Sequence, residues 1–238
     1  MIGERGKRRF LLALCAGFAL LFAGLGVWQL ERLRWKLDLI ARVDARLAAE
    51  PVPLPGAADW SRLTGPDGGY RKVRVTGSFD HGRETLVEAL TERGPGFWVV
   101  TPLRTSQGIV LINRGFVPID RREPGSRAAG QVGGSQTLVG LVRLSEPKGR
   151  FLRTNQPAAE RWYSRDVAAI AARRGLGRVA PFFIDADDAP NPGGYPIGGL
   201  TVVSFRNAHL VYALTWFGLA ALSLFGLALT WKSNHIRE

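Results

Sequence analysis

Two long segments of the chain are almost entirely apolar and contain no charged residue. The first covers residues 10–30 and the second covers residues 210–231. A helix needs about 20 apolar residues to cross roughly 30 Å of hydrocarbon. Both segments are long enough, so the sequence predicts two membrane-spanning helices, one near each end of the chain.

The first apolar segment differs from a cleaved signal peptide. It is longer than a signal-peptide core, and no small-x-small cleavage site lies between it and the charged pair Glu31 and Arg32. A lipoprotein signal also fits poorly, because Leu14 rather than a small residue precedes Cys15. We therefore expect an uncleaved membrane anchor.

The segment after the first span has the pattern of an amphipathic helix. Apolar residues recur there at steps of three or four, namely Leu33, Leu37, Ile40, Val43 and Leu47. This pattern predicts a helix over residues 33–50 that continues the first span and ends at Pro51. The Pro- and Gly-rich residues 51–69 predict a loop.

The region between the loop and the second span is rich in short strand-like runs. These runs cover residues 73–79, 85–88, 97–103, 109–117, 137–143, 181–184 and 201–205. A connection of four to five residues that ends in Gly108 predicts a hairpin between the third and fourth runs. Residues 166–173 predict one short helix. The fold class expected is α+β, with two transmembrane helices bracketing an antiparallel sheet that carries helices on one side.

These elements give five segments: a tail at 1–9, a span at 10–30, an α+β domain at 31–208, a span at 209–231 and a tail at 232–238. The short tails are basic, with Arg5, Lys7, Arg8, Arg9, Lys232 and Arg237. The positive-inside rule therefore places both termini in the cytoplasm and the domain in the periplasm, although Arg32, Arg34 and Lys36 weaken this assignment. The absence of a Ser- and Arg-rich transit segment favours a bacterial inner membrane over an organelle.

Composition and motifs exclude several classes of function. The net charge is +12, but the basic residues of the domain are scattered, whereas nucleic-acid binding requires a clustered basic surface. One Cys and one Met exclude a disulfide scaffold, a thiolate zinc cluster and copper delivery. The sequence has no GxSxG, GxxxxGK[ST] or HExxH motif, so we expect no enzyme.

Two polar clusters in the domain are interpreted as ordinary surface features. His81 lies between Asp80 and Gly82, which predicts a solvated turn histidine. Asp185, Asp187 and Asp188 lack the Gly and distal Glu of a calcium loop, so an exposed acidic loop is favoured over a metal site.

His209 opens the second span, with Asn207 as the predicted N-cap. The positive end of the helix dipole favours neutral imidazole, the form that binds metal. Ala213, Trp216 and Ala220 lie on the same face of this helix, where small residues leave room for a flat macrocycle or for close packing against the first helix.

The outer end of the first span lies at a similar depth, because the domain leaves and re-enters the membrane on one side. Trp28 and Gln29 therefore approach the level of His209, and Arg32 and Arg206 lie near the headgroups, where they could pair with carboxylates. A second interpretation remains open, in which His209, Tyr212, Trp28 and Trp35 form an ordinary interfacial belt.

Several sequence landmarks occur in order along most of the chain. They are GVWQLERLRWK at 26–36, GSF at 77–79, TPL at 101–103, NRGFVP at 113–118, ERWY at 160–163, GG at 198–199 and NAHLVYALTWF at 207–217. Together with the two spans, this pattern resembles the Surfeit locus protein 1 family, membrane factors that help to build cytochrome c oxidase. The match is to the bacterial type. One departure is Phe116, where many members have Trp.

The resemblance implies a non-enzymatic chaperone of respiratory-chain biogenesis that binds haem a transiently and helps to insert it into the catalytic subunit of the oxidase. His209 would be the haem ligand, and Trp28 and Gln29 would line or position the pocket. Arg32 and Arg206 would pair with the haem propionates, and Tyr212 and Trp216 would be the remaining cofactor-binding residues.

The partners implied are the oxidase catalytic subunit, haem a synthase and the lipid bilayer. The alternative is a scaffold that stabilises the nascent oxidase subunit without binding haem. For Arg114, on the predicted hairpin, a solvated or salt-bridged side chain is the first expectation and a partner contact the second.

Overall fold

The structure, a computed structural model, describes residues 3–65, 68–150, 152–203 and 205–232, without the side chains of Glu4 and Arg5. Most of the predicted C-terminal tail, including Arg237, lies outside the described residues. The protein forms two compact units. One is helical and contains residues 3–44 and 205–232, and the other is the β-rich unit Ala45–Val203.

The helical unit contains two long apolar helices. Helix α1 runs over Glu4–Ala48 and helix α3 over His209–Lys232, and both are long and apolar enough to cross a membrane. Only 11% of the apolar window of each helix is buried, so neither is the core helix of a soluble domain. This supports a membrane protein. The predicted span and the predicted amphipathic helix form one continuous helix, which ends two residues before the expected Glu50.

The two helices pack closely in an antiparallel pair. Ala213 is only 1% exposed, and a Cβ added to Gly26 would lie 2.6 Å from the ring of Phe217. At the other end of the pair, Arg8 donates to the backbone oxygens of Thr230 and Trp231. Small residues therefore bring the two backbones together, and Arg8 provides donors for the last carbonyls of α3.

The β-rich unit is built on a seven-stranded sheet. Its strands are β1 Val52–Pro53, β2 Lys72–Phe79, β3 Thr85–Thr91, β4 Gly94–Thr105, β5 Gly108–Pro118, β6 Ser135–Leu144 and β7 Val179–Ala186. The strand order is β1-β2-β6-β7-β5-β4-β3, and β2 also pairs with β4. Five strands, β2, β6, β7, β5 and β4, therefore close into a small barrel, and β1 and β3 extend it.

The barrel closes where β2 meets the end of β4. Ser78 pairs with Arg104 and Phe79 pairs with Leu103. A Cβ on Gly77 would lie 2.4 Å from the carbonyl oxygen of Arg104, so the close approach of the strands requires glycine at this position.

The α+β class is confirmed, but three details of the prediction were wrong. The sheet is mixed, because β1 pairs with β2 and β5 pairs with β7 in parallel. The β4–β5 hairpin has a two-residue turn rather than four to five, since Thr105 already pairs with Gly108. Residues 201–203 and 205 form no strand, and Val202 is 76% exposed although its residue type favours strands. Ser204 lies outside the described residues.

The predicted loop at 51–69 is more ordered than expected in its described part. Val52–Pro53 forms β1, and Trp60–Thr64 forms a short 3₁₀ helix whose Trp60 and Leu63 are buried. These two side chains belong to the barrel core, where Trp60 contacts Phe182 edge to face. An apolar anchor therefore closes one mouth of the barrel.

Alternate residues of β5 face the two sides of the barrel wall, as strand geometry requires. Val110 and Ile112 belong to the interior cluster. Leu111 belongs to a second, outer cluster with Trp162 and with Ile170 of helix α2, which spans Val167–Arg173. This helix was predicted, and Asp166 caps it by accepting from the Ala169 backbone N–H.

Candidate functional site

His209 and Gln29 meet in the helical unit. His209 Nδ1 lies 2.8 Å from Gln29 Oε1, across 180 residues of sequence. Because an amide oxygen only accepts, Nδ1 carries the proton and donates to it. In the neutral imidazole the lone pair is then on Nε2, which has no hydrogen-bond partner within the described part of the protein.

This arrangement has the chemistry of a metal-binding histidine. Such a ligand donates its other ring N–H to an oxygen, which fixes the tautomer and the orientation of the ring. Gln29 is 9% exposed and provides that oxygen from α1. A single imidazole with an available Nε2 is a suitable axial ligand for a haem iron, so the residues present fit that cofactor.

The helix that carries His209 starts one residue later than predicted. Ala208 accepts the first helical hydrogen bond, from the backbone N–H of Tyr212, so Ala208 and not Asn207 is the N-cap. His209 nevertheless lies in the first turn, as expected. Its backbone position therefore keeps it at the positive end of the helix dipole.

The other predicted site residues lie on the outer surface of the helical unit. Trp28, Tyr212, Arg32 and Arg206 are all exposed. The guanidinium of Arg32 stacks on the ring of Trp35 at 4.8 Å. Within the described residues, His209 and Gln29 are the members of the set that share a hydrogen bond.

Trp216 and its small neighbours are used for helix packing. Trp216 stacks on Phe22 with ring centroids 5.7 Å apart, and Ala213 and Ala220 are buried. Of the two possibilities left open for this face, close packing against α1 is confirmed. A macrocycle bound at His209 would therefore contact the exposed aromatic side of the pair and not the space between the helices.

Arg114 in the barrel differs from the first expectation for it. The side chain is only 2% exposed, its Nη2 donates to Gly130 O and Asn191 Oδ1, and it has no salt-bridge partner among the described residues. Burial lowers the pKa of Arg114 to about 10, Glu84 partly opposes this shift, and Arg127 adds to it. The guanidinium remains charged at neutral pH.

The comparison with protein families is decisive for the identity of the protein. The family model described as the SURF1 family matches residues 16–221. The chain belongs to the SURF1 family.

Several SURF1 relatives align over most of their own length. Surfeit locus protein 1 of Rattus norvegicus is 44% identical, over 83% of this chain and 68% of the relative. The human protein of that name is 42% identical, over 83% of this chain and 70% of the relative. The SURF1-like protein of Monosiga brevicollis is 38% identical, over 84% of this chain and 80% of the relative.

The landmark at 113–118 has a clear structural role in the barrel. Asn113 donates to Asp185 at 2.7 Å and accepts from the backbone N–H of Gly115. Gly115 has a φ of +129°, and a Cβ there would lie 2.1 Å from the carbonyl oxygen of Ile197. Glycine is therefore required where the backbone at residue 197 crosses β5.

Sequence reasoning missed the buried polar network around Asp185. This residue was expected on an exposed acidic loop, but it is 2% exposed on β7. It accepts from Asn113, Arg143, Arg165 and Thr201 at 2.7 to 3.0 Å. The signal available was the run Phe182-Phe183-Ile184 before it, which indicates a buried strand that continues into Asp185.

His81 was also described incompletely by the sequence. It begins a short 3₁₀ turn, His81–Arg83, but the residue is only partly exposed. Its Nε2 lies 2.9 Å from Val132 O, and its Nδ1 is buried without a hydrogen-bond partner among the described residues. The described residues contain no group of three or more potential metal ligands of the His, Cys, Asp or Glu type.

Proposed function

We propose that this SURF1-family protein is a membrane-bound, non-enzymatic assembly factor for cytochrome c oxidase that binds haem a transiently through His209. It would aid insertion of haem a into the oxidase catalytic subunit, its main partner, and receive haem from haem a synthase. The observation that carries this proposal is the contact of His209 Nδ1 with Gln29, which leaves Nε2 for the iron.

The surroundings of His209 suit a cofactor that must be released. One imidazole would provide a single bond to the iron, and the described part of the helical unit contains no second histidine. The exposed rings of Trp28 and Tyr212 offer apolar contact to a macrocycle, and Arg32 and Arg206 offer charge to its propionates. Exposure of these four side chains keeps the site open, so exchange with a partner would be possible.

We place the protein in a bacterial inner membrane, with both ends in the cytoplasm and the barrel in the periplasm. Two helices that could span the membrane support the anchoring, and an even number of spans puts both ends on the same side. Lys7, Arg8 and Arg9 at the start of α1 support the orientation, since short basic segments are retained in the cytoplasm.

A scaffold that never binds haem is the second candidate. It is favoured by the buried Ala213 and Ala220 and by the stack of Trp216 on Phe22, because these residues make a rigid helix pair rather than a cleft. In this case His209 and Gln29 would form a structural polar contact at the end of that pair.

The two candidates differ in the haem content of the purified protein. The wild type and the variants His209→Ala and Gln29→Ala are purified in detergent from cells that make haem a, and the Soret absorbance per protein is measured. We expect loss of nearly all haem in His209→Ala and a lower haem content in Gln29→Ala, because outer-shell partners typically contribute about 10- to 100-fold to metal affinity.

His81→Ala is the matched control, since it removes an imidazole from the barrel unit and should leave the haem content unchanged. Equal haem in the wild type and in His209→Ala would remove the haem-binding proposal. Haem-free wild type that still co-purifies with the oxidase catalytic subunit would favour the scaffold.

A further inference from the structure

The two mouths of the barrel differ. Trp60 and Leu63 fill one, and the other holds a cavity of about 170 Å³. Its floor includes Phe79 and Ile112. Mouths of β-barrels are common ligand sites, and a cavity of this size exceeds by several-fold the ~30 Å³ that one water occupies in the liquid.

Arg114 lies at this mouth, two residues after Ile112 on β5. Its guanidinium stacks on Phe79 at 4.8 Å, and Nη2 donates to the neutral acceptors Gly130 O and Asn191 Oδ1. Nη1 is buried and has no hydrogen-bond partner in the described part of the protein. A buried cation with an unused pair of N–H donors is costly unless an acceptor is supplied.

The nearby carboxylate is already used. Glu84 accepts from Arg127 through both of its oxygens, in a pair that is almost fully buried. Its charge acts on Arg114 at a distance but makes no hydrogen bond to it. The charge of Arg114 is therefore not matched by a contacting carboxylate among the residues that the structure describes.

We propose that this cavity binds a single carboxylate group, whose charge pairs with the guanidinium of Arg114. A planar carboxylate matches the fork of guanidinium donors. Asp187 is the other charged residue in the lining, and its negative charge opposes a dianion such as phosphate more strongly than a singly charged carboxylate. The site lies within the barrel unit and is independent of the haem proposal.

The test measures thermal unfolding of the full-length protein in detergent by tryptophan fluorescence, at constant ionic strength, while acetate replaces chloride. We expect a saturable rise of the midpoint in the wild type, since a ligand that binds the folded state stabilises it. Arg114→Gln should weaken acetate binding by about tenfold or more, as expected for loss of a charge-assisted hydrogen-bonded pair.

Two further variants separate binding from folding. Ala189→Leu fills the exposed rim of the cavity without changing Arg114, and should also abolish the acetate effect, which covers the case that Arg114→Gln does not fold. Arg104→Lys is the matched control, because that arginine is exposed and paired with Asp80, and it should respond to acetate like the wild type.

The source of the carboxylate is distinguished by a second probe. N-acetylglycine, which mimics the carboxyl end of a polypeptide, is compared with acetate. Tighter binding of N-acetylglycine identifies a polypeptide terminus as the source, and tighter binding of acetate identifies a free carboxylate. No saturable effect in the wild type, an equal effect in Ala189→Leu, or phosphate stabilising as strongly as acetate would each overturn the proposal.

Discussion

Replacing Asp185 with Ala should strongly destabilise the barrel. Its carboxylate is 2% exposed and accepts four hydrogen bonds, two of them from Arg143 and Arg165. Without it, Asn113 loses its acceptor and the charge of Arg143 is left without its ion pair. Removing one partner of a buried ion pair costs about 3–5 kcal/mol, because the other charge stays buried without compensation.

That cost corresponds to a large shift in unfolding temperature. For a domain of the size of Ala45–Val203, 1 kcal/mol lowers the midpoint by about 2–4 °C, so we expect a decrease of about 6–20 °C. The measurement is thermal unfolding in detergent followed by tryptophan fluorescence, since Trp60 and Trp162 are both buried in this unit.

Asp188→Ala is the control, because that carboxylate is exposed, and its midpoint should change by only about 2 °C. Asp185→Asn keeps the shape of the side chain but removes its charge, and should fall between the two. If Asp185→Ala unfolds within about 3 °C of the wild type, then the network does not contribute as calculated from its burial and contacts.

Two further predictions concern acid stability and helix register. Burial alone would raise the pKa of Glu146, but hydrogen bonds and charge from Arg165, with the charge of Arg143, hold this pKa below the ordinary value of 4.5. The contribution of Glu146 to stability is therefore present above about pH 4.5 and is lost as the pH falls towards the lowered pKa. Glu146→Gln should make the stability less dependent on pH in this acid range, and an unchanged pH dependence there would contradict the prediction. Gly226→Cys should form a disulfide with Cys15 on mild oxidation, because a Cβ at residue 226 lies 3.6 Å from Cys15 Sγ. Gly218→Cys is the control, since a Cβ at residue 218 has no neighbour within 4 Å. Peptide mapping without reductant checks both variants, and a disulfide in neither or in both would show that the register of the helices differs.

Local patterns predicted most of the elements, because each depends on residues close in sequence. The apolar run of the first span and the three- and four-residue spacing from Leu33 to Leu47 both lie within α1. Six of the seven predicted strands are present, with ends that differ by a few residues. The exception at 201–205 has strand-forming residues, but Thr201 donates to Asp185 and Val202 faces solvent, so tertiary contacts and not residue type determine its conformation.

Closure of the barrel could not be predicted from local pattern. It depends on the pairing of β2 with β4 and on the parallel pairing of β5 with β7, whose partners Asn113 and Asp185 are 72 residues apart. The same limit applies to Asp185 and Arg114, since a charged residue in a strand has the same sequence signature whether it is buried or exposed. Burial of Arg114 follows from the ring of strands, whereas Asp185 is buried on the outer side of the ring, where Arg165 and Thr201 cover it.

The contact of Gln29 with His209 spans a greater sequence distance than either of these pairings, yet its level in the helix pair could be predicted. Two spans joined by a domain on one side of the membrane must bring their outer ends to a similar depth, and Gln29 and His209 are the polar residues at those ends. Topology therefore fixes their height along the membrane normal, and the small residues Gly26 and Ala213, which lie three and four residues from them in sequence, fix the separation of the helices. A larger side chain at either position would separate the amide from the imidazole, release Nδ1, and remove the restraint on the orientation of the ring.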